Sequence, residues 1–456
     1  MSIKTIILAA GQGTRMRSSK PKVLHEISNK PLLQRVYETS QKIENNQIFI
    51  IYGHGGETVK QELSHLKATW IEQKQQLGTG HAVQQAIHLI ENHDIVLILY
   101  GDVPLLKPAT IQTLLQSVNE ATLALLTVVL DNPSGYGRII RDSDRKVIKI
   151  VEQKDAVPEE LEITEGNTGI LACNGGHLKQ WLSQLSNNNA QNEYYLTDII
   201  EMAVTDGIKV VTTFASNQDE VLGVNDRKQL AHLERVYQLE LAEQLMINGV
   251  SLSDPSRIDI RGDFAELGKD INIDINVIFE GANKIGSNVK IGANCIIKNS
   301  SIADFVEILP NSLIEDAIIG SYCRIGPFAR IRPETELADH VHIGNFVEIK
   351  KSNIASGSKI NHLSYVGDSD VGSNVNIGAG TITCNYDGAN KFKTIIGDGA
   401  FIGSDTQLVA PVKIGKNATI GAGSTITKDA PDEQLTLSRV KQTSVPTWQR
   451  PTKMEK

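Results

Sequence analysis

Ile285-Gly286-Ser287-Asn288-Val289-Lys290-Ile291-Gly292-Ala293-Asn294-Cys295-Ile296-Ile297 opens a stretch in which a branched aliphatic residue returns at every sixth position, often with glycine behind it. The series resumes at Ile319-Gly320, Ile325-Gly326, Ile331, Leu337, Ile343-Gly344 and Ile349. With one-residue slips it continues through Ile354, Ile360, Val366-Gly367, Val371-Gly372 and Ile377-Gly378. It returns in Ile402-Gly403, Leu408, Ile414-Gly415, Ile420-Gly421 and Ile426. A period of six belongs neither to a helix nor to a lone strand. It requires a short strand, a tight turn and an identical return, with the aliphatic side chain aimed inward each time. Small or aliphatic residues two positions before an anchor, as in Val289-Ile291 and Val375-Ile377, fit strands alternating into one interior. The stretch therefore reads as a solenoid of strands. It is interrupted between Thr383 and Ile395 by Cys384-Asn385-Tyr386-Asp387-Gly388-Ala389-Asn390-Lys391-Phe392-Lys393. A regular coil that extrudes a polar, aromatic, lysine-bearing loop is expected to use it. Beyond Lys428 the hexads fail and a polar tail with Arg439, Lys441 and Trp448 begins.

The texture upstream is different. Ile3 to Ala9 is a continuous apolar run, as a buried parallel strand would be, and it ends in Ala10-Gly11-Gln12-Gly13-Thr14-Arg15-Met16. Leu32, Leu33, Val36 and Tyr37 share a helical face. Ile48 to Tyr52 is a second strand closed by Gly53. Val83, Ala86, Ile87 and Ile90 follow a helical spacing after Leu77-Gly78-Thr79-Gly80, and Ile95 to Tyr100 is a third strand stopping at Gly101-Asp102. Strand-helix alternation predicts an open α/β sheet with its ligand crevice beyond the carboxyl ends of the strands, where Gly11 to Arg15 and Asp102 fall. Near residue 225, Asp226 with Gln229 makes a capping pair. Leu230, Leu233, Tyr237 and Leu241 then form the stripe of a long helix ending near Asn248-Gly249. The expected division is residues 1–226, a linker helix at 227–249, and the coil with its tail at 250–456.

Composition narrows the function classes. A chain of 456 residues exceeds one ordinary core, and a formal charge of -8 without a long basic run argues against a nucleic-acid partner. Cys173, Cys295, Cys323 and Cys384 are too scattered to form a ligand set and read as thiols of a reducing compartment. The N-terminus lacks a signal-peptide pattern, and no apolar run reaches membrane-spanning length. A soluble, cytoplasmic protein with no membrane partner is expected.

Two places carry chemistry. At the first, the Gly11-x-Gly13 turn with Arg15 and with Lys22 in Lys20-Pro21-Lys22 suits phosphate oxygens, although a solvated surface loop would share that composition. Met16 excludes the dinucleotide fingerprint, and there is no P-loop. Asp102, directly after a buried strand, is well placed to hold a divalent metal; the bland alternative is a turn-capping aspartate. At the second, His362 lies two positions past the Ile360 anchor, at a fixed point where acyl transfer to an amine needs a near-neutral base. Most solenoid histidines are plain surface residues, but Arg332, Lys350 and the Asn385 loop are candidates to grip a sugar phosphate beside it. His340-x-His342 with His362 is a possible zinc set, outweighed by the motif around His362. Cys384 lacks an orienting triad partner and is not needed as a nucleophile.

Leu8-Ala9-Ala10-Gly11-Gln12-Gly13-Thr14-Arg15-Met16 with Pro21-Lys22 resembles the signature of sugar-1-phosphate nucleotidyltransferases. With the hexapeptide half, nearly the whole chain resembles the bacterial bifunctional N-acetylglucosamine-1-phosphate uridyltransferase / glucosamine-1-phosphate N-acetyltransferase family. The resemblance implies a Rossmann-like N-terminal domain followed by a left-handed parallel β-helix that assembles as a homotrimer. It implies magnesium at Asp102 and Asn225, and catalytic roles for Arg15, Lys22 and His362. UTP and the sugar nucleotide would be bound by Leu8, Gly11, Gly13, Lys22, Gln73, Gln76, Gly78, Thr79, Tyr100, Gly101, Asp102, Gly137, Glu152, Asn167 and Asn225. Glucosamine-1-phosphate would meet Arg332, Lys350, Tyr365, Asn376, Asn385, Tyr386 and Lys391. Acetyl-CoA would meet Ala379, Asn385, Tyr386, Ser404, Ala422 and Arg439. The implied product is UDP-N-acetylglucosamine, formed through N-acetylglucosamine-1-phosphate. The other reading is a nucleotidyltransferase whose coil only trimerises; the combination of His362, Lys350 and Asn385 argues against it, and the Arg15-Lys22-Asp102 set argues against a non-enzymatic scaffold. Two departures from the family pattern are Asn29, where glycine is usual before Lys30-Pro31, and Gly166, which replaces an aliphatic residue before Asn167-Thr168-Gly169.

Overall fold

The computed structural model describes residues 2–53 and 56–453. Backbone contacts divide the chain into two compact units, Met1–Tyr237 and Gln238–Lys456, with the boundary inside the helix Arg227–Ile247.

In the first unit the strands β1 (Ile3–Ala9), β2 (Asn46–Gly53), β3 (Thr69–Gln73), β4 (Ile95–Tyr100), β5 (Thr122–Val129), β6 (Glu165–Asn174) and β7 (Lys209–Phe214) form one sheet in the order β7-β5-β6-β4-β1-β2-β3. All neighbours are parallel except β6, which runs antiparallel to β4 and β5. The apolar run of β1 is continuous because both faces are covered: Ile7 and Ala9 enter one core with Leu33, Val36 and Leu97, while Ile6 and Leu8 enter the other with Val83, Val96 and Trp181. Burying each such aliphatic side chain is worth about 1.5–3 kcal/mol. Gly101 N–H donates to Leu8 O at 2.9 Å, which joins the ends of β4 and β1 where the crevice opens.

One expected helix is shorter than its spacing implies. Val83, Ala86 and Ile90 are buried together, but the α-helix ends at Gln84 and only a 3-10 turn, Ile87–Leu89, follows. Gln85 and Ala86 already bond to carbonyls three residues back, and that tightening ends the helix while keeping the apolar side chains on one side. Asn29, by contrast, explains itself. Ser28 and Asn29 have φ of 50° and 56° in the hairpin between Glu26–Ile27 and Lys30–Pro31, a left-handed pair that asparagine tolerates as glycine does.

The second unit is a parallel β-helix. Its inward aliphatics stack in three rows: Ile291, Ile308, Ile325, Ile343 and Ile360; Ile297, Ile314, Ile331, Ile349 and Val366; and Ile285, Ile302, Ile319, Leu337, Ile354 and Val371. All of these lie in one buried core. Ile302, Ile308 and Ile314 fill the gap in the hexad series; they were obscured because none is followed by glycine. The coil also outlasts Lys428. Ala430 packs beside Ile414, and Leu435–Thr436 pairs with Thr419–Ile420, so small and polar residues end the stack where aliphatics had built it. Ile377 pairs with Ile402, the long return that accommodates the Asn385 loop.

Candidate functional sites

The first site lies at the carboxyl edge of the sheet, in a cavity of about 650 Å³. The glycine turn needs its two glycines for different reasons. A Cβ on Gly11 would meet nothing, leaving the backbone open to a ligand, whereas Gly13 has φ +63° and a Cβ there would lie 2.7 Å from Lys22 Cβ. Gly13 thus brings Lys22 against the turn that carries Arg15 in the 3-10 segment Thr14–Met16. Lys22 Nζ reaches the Asp102 carboxylate and lies 3.2 Å from Asn225 Oδ1, so both oxygens converge on one cation position. Two oxygen donors aimed at one point form a hard-ligand set, which suits a hard divalent cation. Val224 N–H donates to Asp102 O at 2.9 Å, tying the Asn225 loop to the end of β4.

Around this corner the cavity is lined by Leu8, Gly11, Arg15, Lys22, Gln73, Gln76, Gly78, Thr79, Tyr100, Asp102, Gly137, Glu152, Asn167 and Asn225. Gly13 and Gly101 stand behind the lining in the backbone roles given above. Gln12 Nε2 donates to Gln76 Oε1 at 2.7 Å, and Gln73 Nε2 donates to Gly78 O at 3.1 Å, which fixes the two carboxamides in the cavity wall. Also in the lining, Asn167 N–H donates to Gly137 O at 2.8 Å, and Gly169 N–H donates to Asn167 Oδ1 at 2.9 Å. Gly169 has φ +80°, and a Cβ there would press into Tyr100 Cε2, so any side chain would collide with the ring. Gly166 has a simpler basis: a Cβ there would press on Tyr136 Cβ at 3.3 Å, so the missing side chain gives the Tyr136 ring room.

Sequence reasoning missed Thr197 and read Gln229 only as a capping residue. Thr197 Oγ1 donates to Glu152 Oε1 at 3.1 Å; burial raises the Glu152 carboxyl above its ordinary range, the threonine partly offsetting it, with Asp155 and Asp198 adding to the rise. Asn225 N–H donates to Gln229 Oε1 at 2.7 Å, so the expected Asp226–Gln229 capping box is displaced by one residue. Asp226 still caps the helix, accepting from Lys228 N–H and Gln229 N–H at 2.9 Å each. No local motif marks the Thr197 contact.

The second site lies on the coil and has two parts. Along one edge, Asn345, His362, Ala379, Ser404 and Ala422 occupy equivalent places on successive turns, each next to a residue of positive φ. The exposed His362 ring is held by Asn345, with Nδ1 2.8 Å from Asn345 Oδ1. Because an amide oxygen can only accept, Nδ1 carries the proton in this bond and Nε2 is left with its lone pair. Arg439 Nη1 donates to Ala422 O at 3.1 Å, bringing the start of the tail to the same edge.

On the adjoining face Arg332 Nη1 pairs with Glu348 Oε1 at 2.7 Å, and Glu348 is the strand neighbour of Tyr365. Lys350 Nζ lies 3.7 Å from Asp368 Oδ2, which also accepts from Asn385 Nδ2; Asn385 in turn lies 3.5 Å from the Tyr365 hydroxyl. Lys391 adjoins Lys350, whose ammonium lowers its pKa. Arg332, Lys350, Tyr365, Asn385 and Lys391 are therefore brought together, with Glu348 and Asp368 as unforeseen acidic partners. Tyr386 points elsewhere in its loop, donating to Gly388 O at 2.6 Å, and Asn376 lies on the sheet that carries Lys359 and Phe401. Burial raises the Cys384 thiol, which leaves less thiolate for nucleophilic work. The His340 ring stacks on Tyr322 with centroids 4.9 Å apart, and among the described residues no group of three histidine, cysteine or acidic side chains is arranged to hold a metal.

Comparison with known proteins matches a MobA-like NTP transferase domain to residues 5–149, a GMPPB C-terminal domain to residues 263–344, and bacterial transferase hexapeptide repeats to residues 393–428. A relative from Methylococcus capsulatus described as "Bifunctional protein GlmU" is 59% identical over 456 residues, covering 100% of this chain and 99% of its own. One from Azoarcus sp. with the same description is 54% identical over 451 residues, covering 99% and 100%. Among solved structures, a nucleotidyl transferase from Methanothermobacter thermautotroptrophicus is 17% identical and aligns with 52% of this chain and 97% of its own, at a TM-score of 0.38.

Proposed function

The chain belongs to the family of bifunctional GlmU proteins, and from that premise we propose that each of its two units carries one of the two transfers that make UDP-N-acetylglucosamine, a cell-wall precursor. The observation that carries the first assignment is the convergence of Asp102 and Asn225 oxygens on Lys22 in the sheet-edge cavity. Asp102 and Asn225 would hold magnesium, which when bound lends positive charge to phosphate oxygens. Arg15 and the open Gly11 backbone receive the UTP phosphates, with Gln73 and Gln76 at the uracil and Glu152 and Asn167 at the N-acetylglucosamine. The sugar phosphate oxygen attacks the α phosphorus of UTP and the bond to the β-phosphate bridging oxygen breaks. Pyrophosphate leaves while Lys22 neutralises its charge.

The second assignment is supported by the oriented His362 and the cationic cluster beside it. Arg332, Lys350 and Lys391 hold the phosphate of glucosamine-1-phosphate, and Ser404, Ala422 and Arg439 lie along the acetyl-CoA side. The amine attacks the thioester carbonyl, His362 Nε2 takes its proton, and the C–S bond breaks to release CoA. Exposed Phe328, Phe346 and Leu363, at left-handed corners adjoining the His362 edge, support a trimer that covers them and completes this site. Among the described residues no helix is long and apolar enough to cross a membrane, and a cytoplasmic setting fits the substrates. The test is incubation of the purified protein with glucosamine-1-phosphate, acetyl-CoA, UTP and magnesium, omitting one at a time. N-acetylglucosamine-1-phosphate should form without UTP, and UDP-N-acetylglucosamine only with all four; formation of UDP-glucosamine when acetyl-CoA is omitted would refute the proposed order.

A further inference from the structure

Gln229 is a polar side chain of the first cavity to which the chemistry above assigns no task. It lies in the first turn of the helix that starts at Arg227, where the Asp226 cap holds its own N–H at 2.9 Å. Its side-chain orientation follows from chemistry. The Asn225 backbone N–H can only donate, so the Gln229 atom 2.7 Å from it is the carboxamide oxygen. The NH2 half is therefore the free end, and it has no acceptor among the described residues. One end of the group is pinned to the residue whose own side chain reaches Lys22 at 3.2 Å, and the other end carries two unused donors. A fixed donor in the wall of a cavity that also presents Arg15 and Lys22 is suited to an anionic oxygen.

We propose that Gln229 has two tasks in uridylyl transfer: its oxygen positions Asn225, and its NH2 group donates to a phosphate oxygen of the bound substrates. This rests on the assignment of the cavity to uridylyl transfer. Gln229→Glu keeps an oxygen to accept from Asn225 but replaces the donor with negative charge; Gln229→Met keeps the approximate shape and removes both functions. Gln229→Glu should lower kcat/KM for uridylyl transfer about 10-fold or more, the usual worth of a hydrogen bond to a charged group, with thermal unfolding and acetyl transfer unchanged. Gln229→Met should lose at least about 10-fold as well. UTP binding measured by calorimetry without metal identifies the phosphate: weakened binding in Gln229→Glu assigns the donor to the nucleotide, and an intact value with a raised KM for N-acetylglucosamine-1-phosphate assigns it to the sugar phosphate. Wild-type kcat/KM in Gln229→Glu would overturn the donor task, and wild-type kcat/KM in Gln229→Met would overturn both. Asp102→Ala serves as the control. If it stays active, the cavity assignment has failed; if it is inactive while both Gln229 variants behave as wild type, only the Gln229 inference has failed.

Discussion

His362 and Asp198 illustrate how local surroundings set what a side chain can do. Asn345 holds the imidazole so that Nε2 is available as a base. His362→Ala should therefore cut acetyl transfer about 100-fold or more near neutral pH, with uridylyl transfer intact. The deficit should narrow as pH rises and the substrate ammonium deprotonates unaided, whereas Lys350→Ala should weaken sugar-phosphate binding at every pH. A pH profile of the three proteins separates base from grip, and a deficit in His362→Ala that stays constant to high pH would contradict the base role. Asp198, in the first unit, is pushed up to about 6 by burial and by Glu201 and Asp155. Its ionised form is therefore disfavoured in the folded state. The stability this carboxyl allows is complete below the unfolded aspartate range and is lost as pH rises through about 6. Asp198→Asn should raise the unfolding temperature of the first unit at about pH 8, with a smaller gain at about pH 5, as read by calorimetry. An equal gain at both would place the effect elsewhere.

At the scale of elements, the two units hold by different means. Every turn of the coil depends on aliphatic side chains stacked in register. Ile343→Ala, at a fully buried position between Ile325 and Ile360, should cost about 2–5 kcal/mol and lower the denaturant midpoint of the coil. A cost below about 1 kcal/mol would mean that the stack closes over the gap. That repetition is also why the coil was legible in sequence: one rule, applied every six residues, survives slips at Ile354 and Val371. It faded at Ile302 to Ile314, where the glycine marker is absent, and at Ala430 and Thr436, where smaller residues take the inward places. Strand ends, the glycine turn and Asp102 were legible because they follow each other along the chain. Thr197, Asn345 and Asp368 were not, because each acts across a tertiary contact to a residue whose own place had to be known first, and Gln229 was legible only as a helix cap, its partner lying one residue before the expected one.

For the whole molecule, the exposed aromatic and aliphatic ridge at Phe328, Phe346 and Leu363 and the proposed trimer give a direct expectation. Sedimentation should report three times the 49.8 kDa chain, and charged substitutions at Phe328 and Phe346 should dissociate it and reduce acetyl transfer more than uridylyl transfer. A monomer with full acetyl transfer would remove the assembly from the mechanism. The central claim is that one chain carries two chemically independent sites, and one crossed measurement tests it: resolve both products from glucosamine-1-phosphate, acetyl-CoA and UTP with Asp102→Ala and with His362→Ala. The first variant should accumulate N-acetylglucosamine-1-phosphate and make no UDP-N-acetylglucosamine. The second should make neither from glucosamine-1-phosphate, yet convert supplied N-acetylglucosamine-1-phosphate at the wild-type rate. Loss of both activities in either folded variant would contradict the account.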